Sequence, residues 1–212
     1  TNFTYVVVDP QFAKITEGPV VTDTVKTWSG HFGDYDNDGL LDLVVLGDYS
    51  TTGRNTRLYH NDGQGRFNSV THGPWETLED QVLYGSWGDS DNDGDLDLLL
   101  AVNEGHQPVY LRNDGGGAFT RIVVDQSWTA NAIRPWGWSC AWADFDQDGL
   151  LDALLGQFPL RNNGDGQFTE VTEAILGAER TFVADFTGDG RADFLVPDSG
   201  LEAGEVWVPN RL

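Results

Sequence analysis

The chain has 212 residues, 39% of them hydrophobic, 26 glycines and a formal net charge of −22. That acidity argues against nucleic acid and anionic membrane surfaces as partners, and a single cysteine excludes an internal disulfide. Length and apolar content suffice for one domain, or one compact repeat array, with a real core.

The chain opens on a β-branched stretch, Phe3–Val8, preceded by one Asn-x-Thr acceptor at Asn2. Gln11–Thr16 then reads as a Phe-led strand, matching Gln167–Thr172 far downstream. The first dense acidic stretch follows. Asp34, Asp36, Asp38 and Asp42 occupy positions 1, 3, 5 and 9 of a loop with Gly39 at position 6. Alternate carboxylates on a tight turn make an oxygen-rich cage for a hard divalent cation, and position 7, here Leu40, contributes through its backbone carbonyl. Glycine at position 6 serves the sharp bend.

The pattern returns as Asp89, Asp91, Asp93, Asp95 and Asp97, with Asp95 at the carbonyl position. A third copy has Asp144, Asp146, Asp148, Leu150 and Asp152. The fourth has Asp185, Thr187, Asp189, Arg191 and Asp193. Thr187 replaces a carboxylate, so three strong sites and one weaker site are expected. Ca2+ is favoured over Mg2+, which holds its own water more tightly. The first aspartates stand 55, 55 and 41 residues apart.

Each loop runs into an aliphatic segment (41–46, 96–101, 151–155, 192–196) and then a second β-rich run (57–61, 109–113, 158–162, 206–210). The first three units continue into an Asn-led hairpin signal and a strand opening on Phe67, Phe119 or Phe168. An apolar approach to the next loop completes four strands per unit. A period of roughly 40–50 residues with this content is that of propeller blades. The predicted architecture is all-β: a single β-propeller domain over 1–212, with four blade-like four-stranded repeats. Its units span roughly 11–66, 67–118, 119–167 and 168–212, and each calcium loop joins the first two strands of a blade. Gln11–Thr16 is predicted to close the last blade, which leaves residues 1–10 as a surplus N-terminal strand. No helix of useful length is expected; the nearest candidate is Glu170–Glu179.

Position 12 decides between loop families. An EF-hand needs a bidentate Glu there, and this chain has Val45, Leu100, Leu155 and Val196. The Gly-Asp-Tyr-Asp-Asn-Asp-Gly-Leu-Leu-Asp-Leu stretch from Gly33 and the Asn-Asp-Gly-x-Gly-x-Phe hairpin of 61–67, with their copies, instead resemble FG-GAP/VCBS-type repeats, the calcium loops of integrin α-subunit blades. The resemblance spans nearly all of 11–210. It implies a β-propeller with Ca2+ loops on one rim and leaves the ligand open. Propellers of this kind usually close about seven blades, more than the four units here.

Phe32, Trp87, Trp142 and Val183, two residues before each loop, are expected to pack between blades, and Cys140 is expected to be buried. The four histidines (31, 60, 72, 106) recur at no repeat position and form no metal or triad spacing, and no catalytic motif is present. The chain is therefore read as no enzyme. It is read as an extracellular recognition or adhesion module for glycan or protein, with Trp75, Trp128, Trp136 and Trp138 as exposed candidates and loops 48–55 and 104–107 as specificity elements. Two alternatives stand beside this. One is a structural protomer assembling head-to-tail, as a homo-oligomer or filament, through the N-terminal strand. The other is an accessory domain of a larger secreted enzyme. The chain starts at Thr1 and lacks Met and any run fit for a signal peptide or membrane insertion, as expected of a secreted chain whose leader is gone.

Overall fold

The computed structural model describes residues 15–23, 26–47, 56–78, 81–102, 108–122, 139–156, 158–164, 166–171, 182–196 and 205–207. Among these the fold is all-β, as expected. Its only helical pieces are one turn at Pro19–Thr22 (α1) and a 3-10 turn at Pro74–Thr77. The surplus strand 1–10, Asn2, Gln11–Lys14, the loops 48–55 and 104–107, and Trp128, Trp136 and Trp138 lie outside the described residues, as does all but the start of Glu170–Glu179.

Four antiparallel meanders follow one another along the chain. The first sheet is β1 (Thr27–Gly33), β2 (Asp42–Gly47), β3 (Arg57–Asn61) and β4 (Phe67–Val70), paired in that order. The second repeats it with β5 (Val82–Gly88), β6 (Asp97–Val102), β7 (Val109–Asn113) and β8 (Phe119–Ile122). The third holds β9 (Cys140–Ala143), β10 (Asp152–Leu155), β11 (Phe158–Asn162) and β12 (Phe168–Glu170). The fourth shows three strands: β13 (Phe182–Ala184), β14 (Asp193–Val196) and β15 (Glu205–Trp207). Each acidic loop joins the first two strands of its sheet, and each Phe-led strand pairs with the strand before it.

Successive sheets stack face to face. β1 packs on β5, β5 on β9 and β9 on β13. The second sheet therefore sits between two neighbours, and strand periodicity decides what each face carries. Leu98, Leu100 and Val102 of β6 point into a cluster with Val44, Leu46 and Leu58 of the first sheet. Leu99 and Ala101 point the other way, into a cluster with Cys140, Ala153 and Leu155 of the third. This is why β6 reads as an unbroken aliphatic run: both of its faces are buried. Burying each leucine contributes about 1.5–3 kcal/mol.

Two of the residues standing two before a loop, Trp87 and Trp142, pack on the preceding sheet as expected. The Trp87 ring covers Gly33 so closely that a Cβ there would meet it at 2.8 Å. Trp142 covers Gly88 in the same way, at 2.6 Å, and its indole N–H donates to the Ser86 carbonyl (3.1 Å). Phe32 belongs to the first sheet, has no such neighbour among the described residues, and is 57% exposed. Cys140 is buried; its thiol donates to the Leu99 carbonyl (3.4 Å), and burial pushes its pKa up to about 12.

Candidate metal centres and the inner cleft

The acidic loops fold by the same local bonds. The position-1 carboxylate brackets the turn: Asp34 accepts from the N–H groups of Asp38 (3.1 Å) and Gly39 (2.9 Å). Asp89, Asp144 and Asp185 do the same in their loops. The position-5 carboxylate accepts from the N–H of position 7, with Leu40, Asp95, Leu150 and Arg191 donating at 2.8–3.0 Å. Position 6 needs glycine: Gly39, Gly94, Gly149 and Gly190 have φ between 82° and 93°. The aliphatic residues at position 12 enter the strand as predicted, and Val45, Leu100 and Leu155 are buried.

Position 9 is the buried wall of each loop. Asp42, Asp97, Asp152 and Asp193 are each fully buried. Asp42 accepts from the Tyr35 N–H (3.3 Å) and the Asn61 N–H (2.8 Å). Asp152 repeats this with Phe145 (3.1 Å) and Asn162 (2.8 Å). Asp97 accepts from Ser90 N–H, Ser90 Oγ and Asn113 N–H. Burial, more than any neighbour, raises the pKa of Asp42 and Asp97, and it raises Asp152 to about 6. Asp91 is raised by burial and then by the charge of Asp97. These are carboxylates that dehydration makes costly as bare anions, which a cation would offset.

Three clusters bring carboxylate oxygens within 4.8 Å of one another: Asp34, Asp36 and Asp38; Asp89, Asp91 and Asp93; Asp144, Asp146 and Asp152. One oxygen each of Asp36 and Asp91 is buried without a hydrogen-bond partner. That is the chemistry of an oxygen donor set prepared for an ion, and the residues present fit Ca2+. The fourth loop, with Thr187, forms no such cluster among the described residues.

Three features have no counterpart in the sequence motifs. First, the loops are linked in series by position 4. The Asn37 amide donates to the Gly94 carbonyl (3.1 Å) and the Asp95 carboxylate (2.8 Å), Asn92 to the Gly149 carbonyl (2.8 Å), and Gln147 to the Gly190 carbonyl (3.2 Å). Their recurring amides are the signal that could have revealed them. Second, the hairpin asparagines brace the loops from behind. Asn113 donates to the Tyr35 carbonyl of the preceding sheet (2.7 Å), and Asn162 to that of Ser90 (2.8 Å). Third, His60 belongs to the first loop. Its Nδ1 lies 3.2 Å from both Asp36 Oδ2 and Asp42 Oδ1, and the three groups form a further cluster within 4.8 Å. The histidines have no metal-type spacing in the sequence, yet the fold brings this one into such a cluster. Neighbouring strands create the juxtaposition, not sequence spacing.

A second feature lies where the first strands converge. A cleft of about 840 Å3 is lined by β1, β5, Ser139–Ala141 and β13. Its aromatic rings include Trp28 (49% exposed), Tyr84 (39%) and Phe182 (56%). His31 adds a half-buried imidazole whose Nε2 accepts from the Gly85 N–H (3.3 Å), and its partial burial lowers its pKa. Trp75, expected to be exposed, is instead 3% exposed and packs edge-on against Phe119 at 5.5 Å. The 3-10 turn after Pro74 carries it inward.

The family described as FG-GAP-like repeat matches residues 34–100 and again 89–155, together more than half of the chain. No curated protein matches the chain in sequence. Among solved structures the chain is similar to an Agrocybe aegerita lectin, solved for its specific recognition of non-reducing terminal N-acetylglucosamine. The identity is 22% and the TM-score 0.58, covering 85% of this chain and 50% of the lectin chain. The chain thus spans about half the length of that lectin, and the likeness is one of fold.

Proposed function

From the premise that this chain belongs to the FG-GAP-like repeat family, we propose that it is a calcium-stabilised, propeller-type recognition module that works outside the cell and binds a glycan or protein ligand. The observation that carries this reading is the pairing of two surfaces on one scaffold. The acidic loops sit at one end of the first strands, and the aromatic cleft is built from those same strands. Exposed rings beside backbone and imidazole polar groups suit a sugar, which presents apolar C–H faces and hydroxyls together. The lectin with the same fold supports a glycan over other ligands. Among the described residues no helix is long and apolar enough to cross a membrane.

In this reading Ca2+ is structural. Position-1, -3, -5 and -9 side chains and the position-7 carbonyl hold it: Asp34, Asp36, Asp38, Leu40 and Asp42 in the first loop, and the corresponding sets in the second and third. The fourth, with Asp185, Thr187, Asp189, Arg191 and Asp193, holds it more weakly. The ion neutralises carboxylates that the fold has already dehydrated. Nothing in the reading calls for catalysis. Screening the calcium-loaded chain on a glycan array tests it. Binding that falls when Trp28 and Tyr84 are changed to alanine is expected, and no glycan bound above background would defeat the glycan reading.

One observation favours a second reading, assembly by strand donation. In the sequence the β-branched run Phe3–Val8 is left over once the four repeats are counted. An unpaired edge accepts another strand. If residues 1–8 supply it between chains, deleting them abolishes oligomers and spares calcium binding; unchanged oligomers on sizing would sink this alternative.

A further inference from the structure

The three well-formed loops share a carboxylate pattern but differ in one neighbour, the residue before the asparagine that ends the third strand. In the three sheets it is His60, Arg112 and Arg161. Arg112 pairs with Asp114 of the hairpin (2.7 Å). Arg161 turns in and pairs with Asp146 at position 3 of its loop. A guanidinium offers only donors and cannot ligate a metal. His60 is the one of the three that can.

The surroundings of His60 are those of a ligand rather than of a satisfied side chain. Its Nδ1 is buried and has no aligned hydrogen-bond partner, and neither has Asp36 Oδ1 beside it. The carboxylates nearest the ring are Asp36 and Asp42, both 3.2 Å from Nδ1, with Asp38 4.0 Å from Nε2. Tyr35 stands edge-on to the imidazole at 6.3 Å. Asp42 is itself held by two backbone N–H groups, so its free lone pairs point along defined directions. Two ligands about 2.0–2.1 Å from one ion, at a tetrahedral angle, stand about 3.3 Å apart. The observed 3.2 Å separations match that edge.

We infer that the first loop is a mixed nitrogen–oxygen centre, with His60 as a ligand, that prefers a borderline cation such as Zn2+ where the second and third loops prefer Ca2+. The inference rests on the metal-cage reading of the loops and divides it. Imidazole suits borderline transition cations, whereas Ca2+ takes oxygen ligands. One repeat array would then carry two kinds of staple, loaded from different ion pools.

The test uses the full chain, stripped of metal and titrated separately with Zn2+ and Ca2+ by calorimetry. The imidazole 15N resonances are followed in parallel. One tight Zn2+ equivalent is expected, with the His60 nitrogens shifting as it fills. His60→Asn should weaken that equivalent by more than about tenfold, the lower bound for even an outer-shell change. It should leave Ca2+ binding at the second and third loops intact, which also shows that the variant is folded. Equal Zn2+ binding by His60→Asn, or His60 resonances unmoved by Zn2+, overturns the inference while leaving the calcium reading in place. A His60-dependent Zn2+ site in a chain that binds no Ca2+ would overturn both the division between the loops and the calcium reading.

Discussion

The second and fourth acidic loops have the same length and the same glycine at position 6, yet they are held very differently. Asp97 accepts four hydrogen bonds, from Ser90 N–H (3.0 Å), Ser90 Oγ (2.5 Å), Tyr110 Oη (3.3 Å) and Asn113 N–H (2.8 Å). Asp193 accepts one from Thr187 N–H (2.8 Å), and its other oxygen has no partner among the described residues. The sheet behind Asp97 is covered on both faces, whereas the fourth sheet exposes half of the Phe182 and Phe186 side chains. The loop sequence therefore specifies the turn, and the neighbouring sheets specify how stiffly its ligands are held. Local stability should fall from the second sheet to the fourth.

Removing metal should have the largest effect. Each site filled at one hundred times its Kd contributes about 2.7 kcal/mol, so emptying three lowers the Tm by roughly 20 °C for a chain of this size. Calorimetry in excess EDTA measures it, and an unchanged melt would remove the structural role of the ion. The chelated chain should also respond to pH in a defined direction. Asp152 has its pKa raised to about 6 from the ordinary 3.8, so the folded state holds more protons between those values. Its contribution is fully present below 3.8 and is lost as pH rises through about 6. The metal-free protein should then melt higher at about pH 5 than at about pH 7, and Ca2+ should remove the difference.

Side-chain deletion at position 9 comes next. Asp97→Ala strands several buried donors and should cost about 3 kcal/mol or more. Asp193→Ala should cost about 1 kcal/mol, because one described bond is lost. Paired denaturant titrations decide it. Equal costs would mean that the stiffness gradient from second to fourth sheet is not energetic.

Much of this is legible in the order of the residues. The Asp-x-Asp-x-Asp-Gly spacing forces one turn geometry, and β3, β7 and β11 fall on the predicted runs, because alternation and glycine placement are local properties. His60 is not legible there. It meets Asp42 only because β2 and β3 pair with Leu43 opposite Tyr59, a register that no motif states. Trp75 misleads for a related reason: the Gly and Pro beside it suggest a surface loop, yet they build the turn that buries it.

The smallest single cost is expected at the links between loops, for Asn37→Gly, and a second substitution at that position separates its causes. Asn37 has φ of 59° and donates to the next loop through its amide. Asn37→Ala loses the amide and, with it, the local side-chain bonding by which asparagine tolerates the left-handed region, so it should cost about 1–2 kcal/mol. Asn37→Gly loses the same bonds without the strain, and at an exposed site should cost about 0.5 kcal/mol. The fourth loop already has this arrangement, with Gly188 at position 4 and φ of 72°. If Asn37→Gly costs as much as Asn37→Ala, the inter-loop bond dominates and the first two loops stiffen each other. If only alanine is costly, asparagine is there for its backbone, and the second loop owes its rigidity to its own sheet.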